Sequence, residues 1–134
     1  MPRRVIKQSV VLSASAESLY ATYMDPVRHA EITGGKAVIS ARAGSKFLAF
    51  DGTLWGTTLA VVPPRLIVQS WRSSAFKKSG ADSVLVLTFS KTPSGCRVDL
   101  VHVNVPEHDH QGVTQGWEKY YWGPWRAYLA DGKR

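Results

Sequence analysis

Residues 116–129 restrict the possible folds more than any other part of this chain. Three of the five tryptophans and three of the five tyrosines fall within the twelve residues 117–128. At about 100° per residue, Trp117, Tyr121, Pro124 and Tyr128 share one face of a helix, with Tyr120 beside them. Side chains this large need an apolar surface to cover or a cavity to line. The chain upstream reads mainly as strand, so the surface on offer is a sheet, with the helix lying in its palm. Trp122 and Leu129 fall roughly 120–140° from the stripe. They are therefore expected to be partly exposed or packed against another surface such as a dimer partner. Pro124 has no N–H for the Tyr120 carbonyl, so the helix should bend or loosen there. Such a bend either fits the helix passively to the sheet or widens the mouth of a cavity.

The upstream pattern supports a sheet. Residues 5–12 form a first β-rich run. Ser15 then suits an N-cap, with Glu17 in the first turn of a helix that buries Leu19, Tyr20, Tyr23 and Met24. Asp25-Pro26 starts a second short helix that ends before Gly34-Gly35. Strands are expected over residues 36–41, 46–50, 53–61, 66–72, 83–89 and 98–105. The Asp51-Gly52 pair is a hairpin signal, Pro63-Pro64 and residues 93–95 break the chain, and Pro106 ends the last strand. Sequential strands with short connections predict an antiparallel meander in an α+β fold. With 134 residues, no repeats and no linker composition, a single domain over residues 1–134 is expected.

Composition narrows the functional classes. Cys96 is the one cysteine, which excludes an intramolecular disulfide and a cysteine-rich metal site. Nothing approaches signal-peptide or membrane-spanning character; cytoplasmic placement without membrane insertion is the expectation. The formal charge is +7, but the basic residues are dispersed. Their densest groups are Arg3-Arg4-Lys7, Lys77-Lys78 and Lys133-Arg134. None interleaves with the aromatics as a nucleic-acid platform requires, so no nucleic-acid partner is expected.

No nucleophile elbow, phosphate-cradling loop or dinucleotide fingerprint is present, and no catalytic residue or cofactor is assigned. Residues 107–110, Glu-His-Asp-His, contain metal-ligand types, but in a short polar connection before a helix they read as turn and capping residues. No metal is predicted. His102 and Asn104 lie on one face of a strand together with Leu100. If that face is the concave one, the pair would anchor a ligand carbonyl or carboxylate; otherwise His102 is satisfied by its neighbours.

Several local motifs, in order, carry a family resemblance. They are Asp25-Pro26, Thr33-Gly34-Gly35, Gly44-Ser45-Lys46-Phe47, Phe50-Asp51-Gly52, Gly56, Pro63-Pro64, the Ile67-to-Arg72 run, the Leu85-to-Phe89 run, Val105-Pro106 and the Gly116-to-Trp122 run. Together they span nearly the whole chain. It resembles the activators of the ninety-kilodalton heat-shock chaperone ATPase, within the START-like (SRPBCC, helix-grip) superfamily. The resemblance implies a curved antiparallel sheet of about six to seven strands. Two short helices follow the first strand, and a long C-terminal helix packs on the concave face. It also implies a cavity between sheet and helix of the kind that holds apolar molecules.

Three functions follow as expectations. The first is non-covalent binding of an apolar or aromatic small molecule, with Phe47, Trp71, Leu85, Leu87, Leu100, His102, Trp117, Tyr121 and Tyr128 lining the cavity. The second is a co-chaperone-type module that meets a chaperone partner through basic residues including Lys77 and Lys78. The third is a cyclase-like enzyme using His102. The chain is expected to be a monomer or a homodimer.

Overall fold

The computed structural model describes residues 3–76 and 81–132; Lys77, Lys78, Lys133 and Arg134 lie outside them. The chain runs β1 (Arg3–Leu12), α1 (Ala16–Met24), α2 (Pro26–Thr33), β2 (Lys46–Ala49), a 3-10 turn (Phe50–Gly52), β3 (Leu54–Val62) and β4 (Leu66–Ser73). It continues with β5 (Ser83–Thr92), β6 (Gly95–Pro106), α3 (Glu107–Trp117), a π-helical turn (Glu118–Trp122) and α4 (Gly123–Ala130). The strands form one antiparallel sheet in the order β1-β6-β5-β4-β3-β2.

Strict alternation sorts the two faces of the sheet. Ile67, Gln69 and Trp71 of β4, Leu85 and Leu87 of β5, and Leu100 and His102 of β6 are buried, while Val84, Val86, Val101 and Val103 between them are half-buried. The buried face carries the helices, whose own buried residues join the same core cluster.

The two short helices are set by their caps. Ser15 Oγ accepts from the Ser18 N–H, and Asp25 Oδ1 accepts from the N–H groups of Val27 and Arg28. Pro26 sits in the first turn of α2, and Gly34, at φ +80°, closes it by donating to the Ala30 carbonyl.

Three expectations are corrected. Residues 36–41 contribute one isolated bridge, Val38 to Leu48, and no strand. The Glu107-to-His110 stretch is the first turn of α3 and not a connection before it; Pro106, fixed at φ −58°, leads straight into the helix. Trp122 and Leu129 are both buried at 3% exposure. The cause of this last difference is the π turn, in which the Gly123 N–H bonds to the Glu118 carbonyl five residues back. One wide turn shifts the inward face relative to an ideal helix. The buried positions then become Trp117, Tyr121, Trp122, Trp125, Tyr128 and Leu129, with Trp125 fully buried and Pro124 half-buried. Pro124 lies just after this turn, where its missing N–H predicted loosening.

The β2–β3 connection also departs from a two-residue hairpin turn. Phe50 and Asp51 take positive φ angles of 51° and 58°, followed by Gly52 at 95°. Left-handed backbone costs a bulky side chain such as Phe50 about 1 kcal/mol or more. Asp51 is held by a bond from the Lys36 N–H to its carboxylate and one from its own N–H to the Lys36 carbonyl. The resulting turn carries the Phe50 ring to the final helix, 5.5 Å from Tyr120 and 5.7 Å from Tyr121.

Candidate functional site

Much of the space between sheet and helix is filled by the protein's own aromatic rings. Trp117 and Trp122 stack at 5.7 Å, Trp122 and Trp125 at 6.3 Å, and Trp125 and Tyr23 at 6.4 Å. Several polar atoms within this packing are paired, while Trp125 Nε1–H is buried without a hydrogen-bond partner. Trp122 Nε1–H donates to Gln8 Oε1, Tyr23 O–H donates to Gln69 Oε1, and Tyr128 O–H donates to Glu31 Oε1.

His102 is part of this interior. Its ring is fully buried, and Trp117 Nε1–H donates to its Nδ1 at 3.2 Å. An accepting Nδ1 puts the proton on Nε2. That nitrogen then donates to Ser83 Oγ at 2.8 Å, and the Ser83 O–H donates a hydrogen bond to the Trp71 carbonyl at 2.6 Å. Burial holds the imidazole pKa down to about 3, so His102 is neutral and committed on both sides. Asn104 leaves the His102 face altogether: at φ 64°, beside the bulge that offsets β6 from β1, it donates to the Asp82 carbonyl.

His29 is a second buried imidazole, in α2. Its Nδ1 lies 2.7 Å from the Tyr23 carbonyl and must donate there, which leaves Nε2 to accept from Tyr121 O–H at 2.9 Å. Burial lowers its pKa against the opposing pull of the Tyr23 carbonyl. Burial also raises the Tyr121 phenol.

A cleft opens at one flank of the final helix. With a volume of about 510 Å³, it runs between α3 with the π turn on one side and the Phe50–Gly52 turn, Leu54 and the end of β4 on the other. Its walls are aromatic: Phe50, Trp71, Trp117, Tyr120 and Tyr121. Thr53, Ser73, Ser74 and Asp109 add polar groups. Gly112 and Gly116, one helical turn apart, supply no side chain where α3 faces the cleft, and this leaves room for it. A Cβ on Gly116 would meet nothing closer than the Tyr120 ring at 3.6 Å.

Trp71, Trp117 and Tyr121 of the nine expected lining residues border this cleft. Phe47, Leu85, Leu87, Leu100, His102 and Tyr128 are buried in the core and do not border it, although His102 lies directly behind the Trp71 and Trp117 walls. Phe50, Asp109, Gly112, Gly116 and Tyr120 border it without having been singled out for that role. The readable signal was the glycine pair four residues apart within an aromatic helix. His108, in the expected polar connection, approaches the Ala75 carbonyl at 3.1 Å. Among the described residues no three His, Cys, Asp or Glu side chains converge as a metal site, and no helix is long and apolar enough to cross a membrane.

An open six-stranded antiparallel sheet, two short helices after the first strand and a long C-terminal helix against the buried face define the helix-grip, START-like class. Residues 13–130 match the family described as activator of Hsp90 ATPase homolog 1-like protein, and the chain belongs to that family. It is 27% identical over 107 residues to the human activator of 90 kDa heat shock protein ATPase homolog 1, covering 80% of this chain and 31% of the relative. An uncharacterised Schizosaccharomyces pombe protein is 27% identical over 127 residues, 95% of this chain and 38% of the relative. The chain thus spans about a third of the length of these curated relatives.

Among solved structures, the HSP90 activator of Plasmodium falciparum superposes with a TM-score of 0.84 at 18% identity, covering 94% of this chain and 96% of that one. The Aha1 dimer of Colwellia psychrerythraea gives a TM-score of 0.82 at 14% identity, covering 98% and 99%. At such identities the likeness is one of fold.

Proposed function

We propose that this protein binds an apolar or aromatic small molecule non-covalently in the cleft between α3 and the Phe50–Gly52 turn. The observation that carries this reading is the cleft itself: about 510 Å³ walled by aromatic rings and kept open by two helix glycines. Its volume lies in the range of small-molecule sites, and a few polar groups at an apolar wall are what orient a ligand there. Affinity would come from burying apolar surface, with Thr53 and Ser73 near enough to bond a polar end. An acid–base role for His102 gains no support, since both ring nitrogens are engaged and the ring is sealed from solvent. The setting that fits this reading is the cytoplasm, where the buried free thiol of Cys96 stays reduced.

Native mass spectrometry of freshly purified protein, followed by organic extraction, tests the proposal. A retained small molecule that is lost in Gly116→Leu, whose new side chain would enter the cleft, is the expected result. A clean apo mass, with no saturable tryptophan fluorescence change on adding apolar probes, would overturn it.

A second reading rests on the relatives: the human and Plasmodium proteins are named as heat-shock chaperone activators. On that reading the chain is a co-chaperone module whose +7 charge meets an acidic chaperone face. Its binding to a ninety-kilodalton chaperone should then weaken steeply as salt rises. Salt-independent binding, or none, counts against it.

A further inference from the structure

Among the described residues, the charge bordering the cleft is opposite to that of the protein as a whole. The chain has a formal charge of +7, yet the one charged side chain among the described residues bordering the cleft is a carboxylate, Asp109. Asp109 lies in the first turn of α3. It lies close to Gly112, where an added Cβ would come within 3.0 Å of Asp109 Oδ1. The carboxylate therefore rests against bare helix backbone. Of the ion pairs among the described residues, none uses Asp109.

The surrounding walls have matching electrostatics. Phe50, Trp71, Trp117 and Tyr120 present aromatic rings, whose faces are electron-rich. One of them already receives a cation: Lys119 Nζ, outside the cleft, sits 5.2 Å from the centre of the Tyr120 ring. Aromatic rings around the one carboxylate of the described lining offer an organic cation electron-rich faces and an opposite charge, and repel an anion. A ligand matched only to the overall charge of the protein would be the reverse.

Resting on the reading of this cleft as a small-molecule site, we infer that its ligand is a protonated amine attached to an apolar or aromatic body. The ammonium group lies at Asp109, and the body lies among Phe50, Trp71, Trp117 and Tyr120.

Three probes of one shape and different charge test this: phenylbutylamine, phenylbutanol and phenylbutyrate, titrated calorimetrically at low salt into wild type, Asp109→Asn and Gly116→Leu. Wild type should bind the amine about tenfold more tightly than the alcohol, with the acid weakest. Asp109→Asn should bring amine and alcohol to within about twofold of each other while alcohol binding persists. Gly116→Leu should weaken all three. Equal or tighter binding of the alcohol or acid by wild type overturns the charge assignment and leaves the cleft standing as an apolar site. If Asp109→Asn melts at a lower temperature but keeps the preference for amine, the carboxylate serves the helix alone and the inference fails. Absence of binding by all three probes sinks the cleft reading itself.

Discussion

The two halves of the final helix use similar residues for opposite ends. In the second half, Trp122, Trp125, Tyr128 and Leu129 are all buried, and Trp125 is sandwiched between Trp122 and Tyr23 with interplanar angles of 17° and 24°. In the first half, Gly112 and Gly116 stand where the second half has large rings, and the cleft opens there. Trp117 belongs to both, stacking on Trp122 on one side and bordering the cleft on the other. Aromatic density alone therefore says little about binding. What decides it is whether the position one turn away is another ring or a glycine.

That contrast can be broken most severely from the packed side. Trp125→Ala should cost about 3–5 kcal/mol, because it empties a fully buried site among rings that have nowhere to move; urea denaturation measures it. Acid should act next. The neutral pKa of His102 is held down to about 3 in the fold, against about 6.5 in an unfolded chain. The unfolded state thus binds the proton first. The stability tied to neutral His102 is whole above about pH 6.5 and is lost between there and about pH 3, at roughly 1.4 kcal/mol per pH unit. His29 is lowered in the same direction. Urea midpoints measured at several pH values should fall accordingly, with a shallower slope in His102→Gln.

Tyr121→Phe should cost about 1–2 kcal/mol, since it leaves buried His29 Nε2 without its donor. The cleft side behaves differently. Gly116→Ala should raise stability by about 0.5–1 kcal/mol, because the alanine favours the helix and meets only the Tyr120 ring at an ordinary contact distance. Its thermal midpoint should rise while affinity for an apolar probe falls. The smallest effect belongs to Tyr20→Phe. The Tyr20 hydroxyl is buried without a hydrogen-bond partner, so its removal should shift stability by no more than about 0.5 kcal/mol, in either direction.

The sheet was readable in the sequence because its signals are local and repeated. Alternation in β4 to β6 and the caps at Ser15 and Asp25 each depend on neighbours within a few residues. Residues 36–41 alternate convincingly, yet they run beside β2 with a single bridge. The partners that complete a strand are a tertiary matter. In the last helix Trp117, Tyr121 and Tyr128 are buried as expected, whereas Trp122 and Leu129 are not where an ideal helix puts them. A fixed 100° per residue put Trp122 and Leu129 outside, and a single π turn brought both in.

The cleft was the least legible part. Alternation identifies which side of a strand faces the interior, but not how far along the sheet a residue lies from an opening. Leu85, Leu87, Leu100 and His102 face inward and lie deep, whereas Trp71 near the end of its strand reaches the cleft. Phe50 could not be read in at all, because its ring is aimed by a left-handed backbone that few bulky residues adopt.

The five tryptophans allow one direct test of where the molecule is open. In a ¹H–¹⁵N spectrum each indole gives its own N–H signal, and titration with phenylbutanol should move those of Trp71 and Trp117 while leaving Trp122 and Trp125 in place. Movement concentrated in Trp122 and Trp125, or no saturable shift in any of the five, would contradict the assignment of the cleft as the binding site.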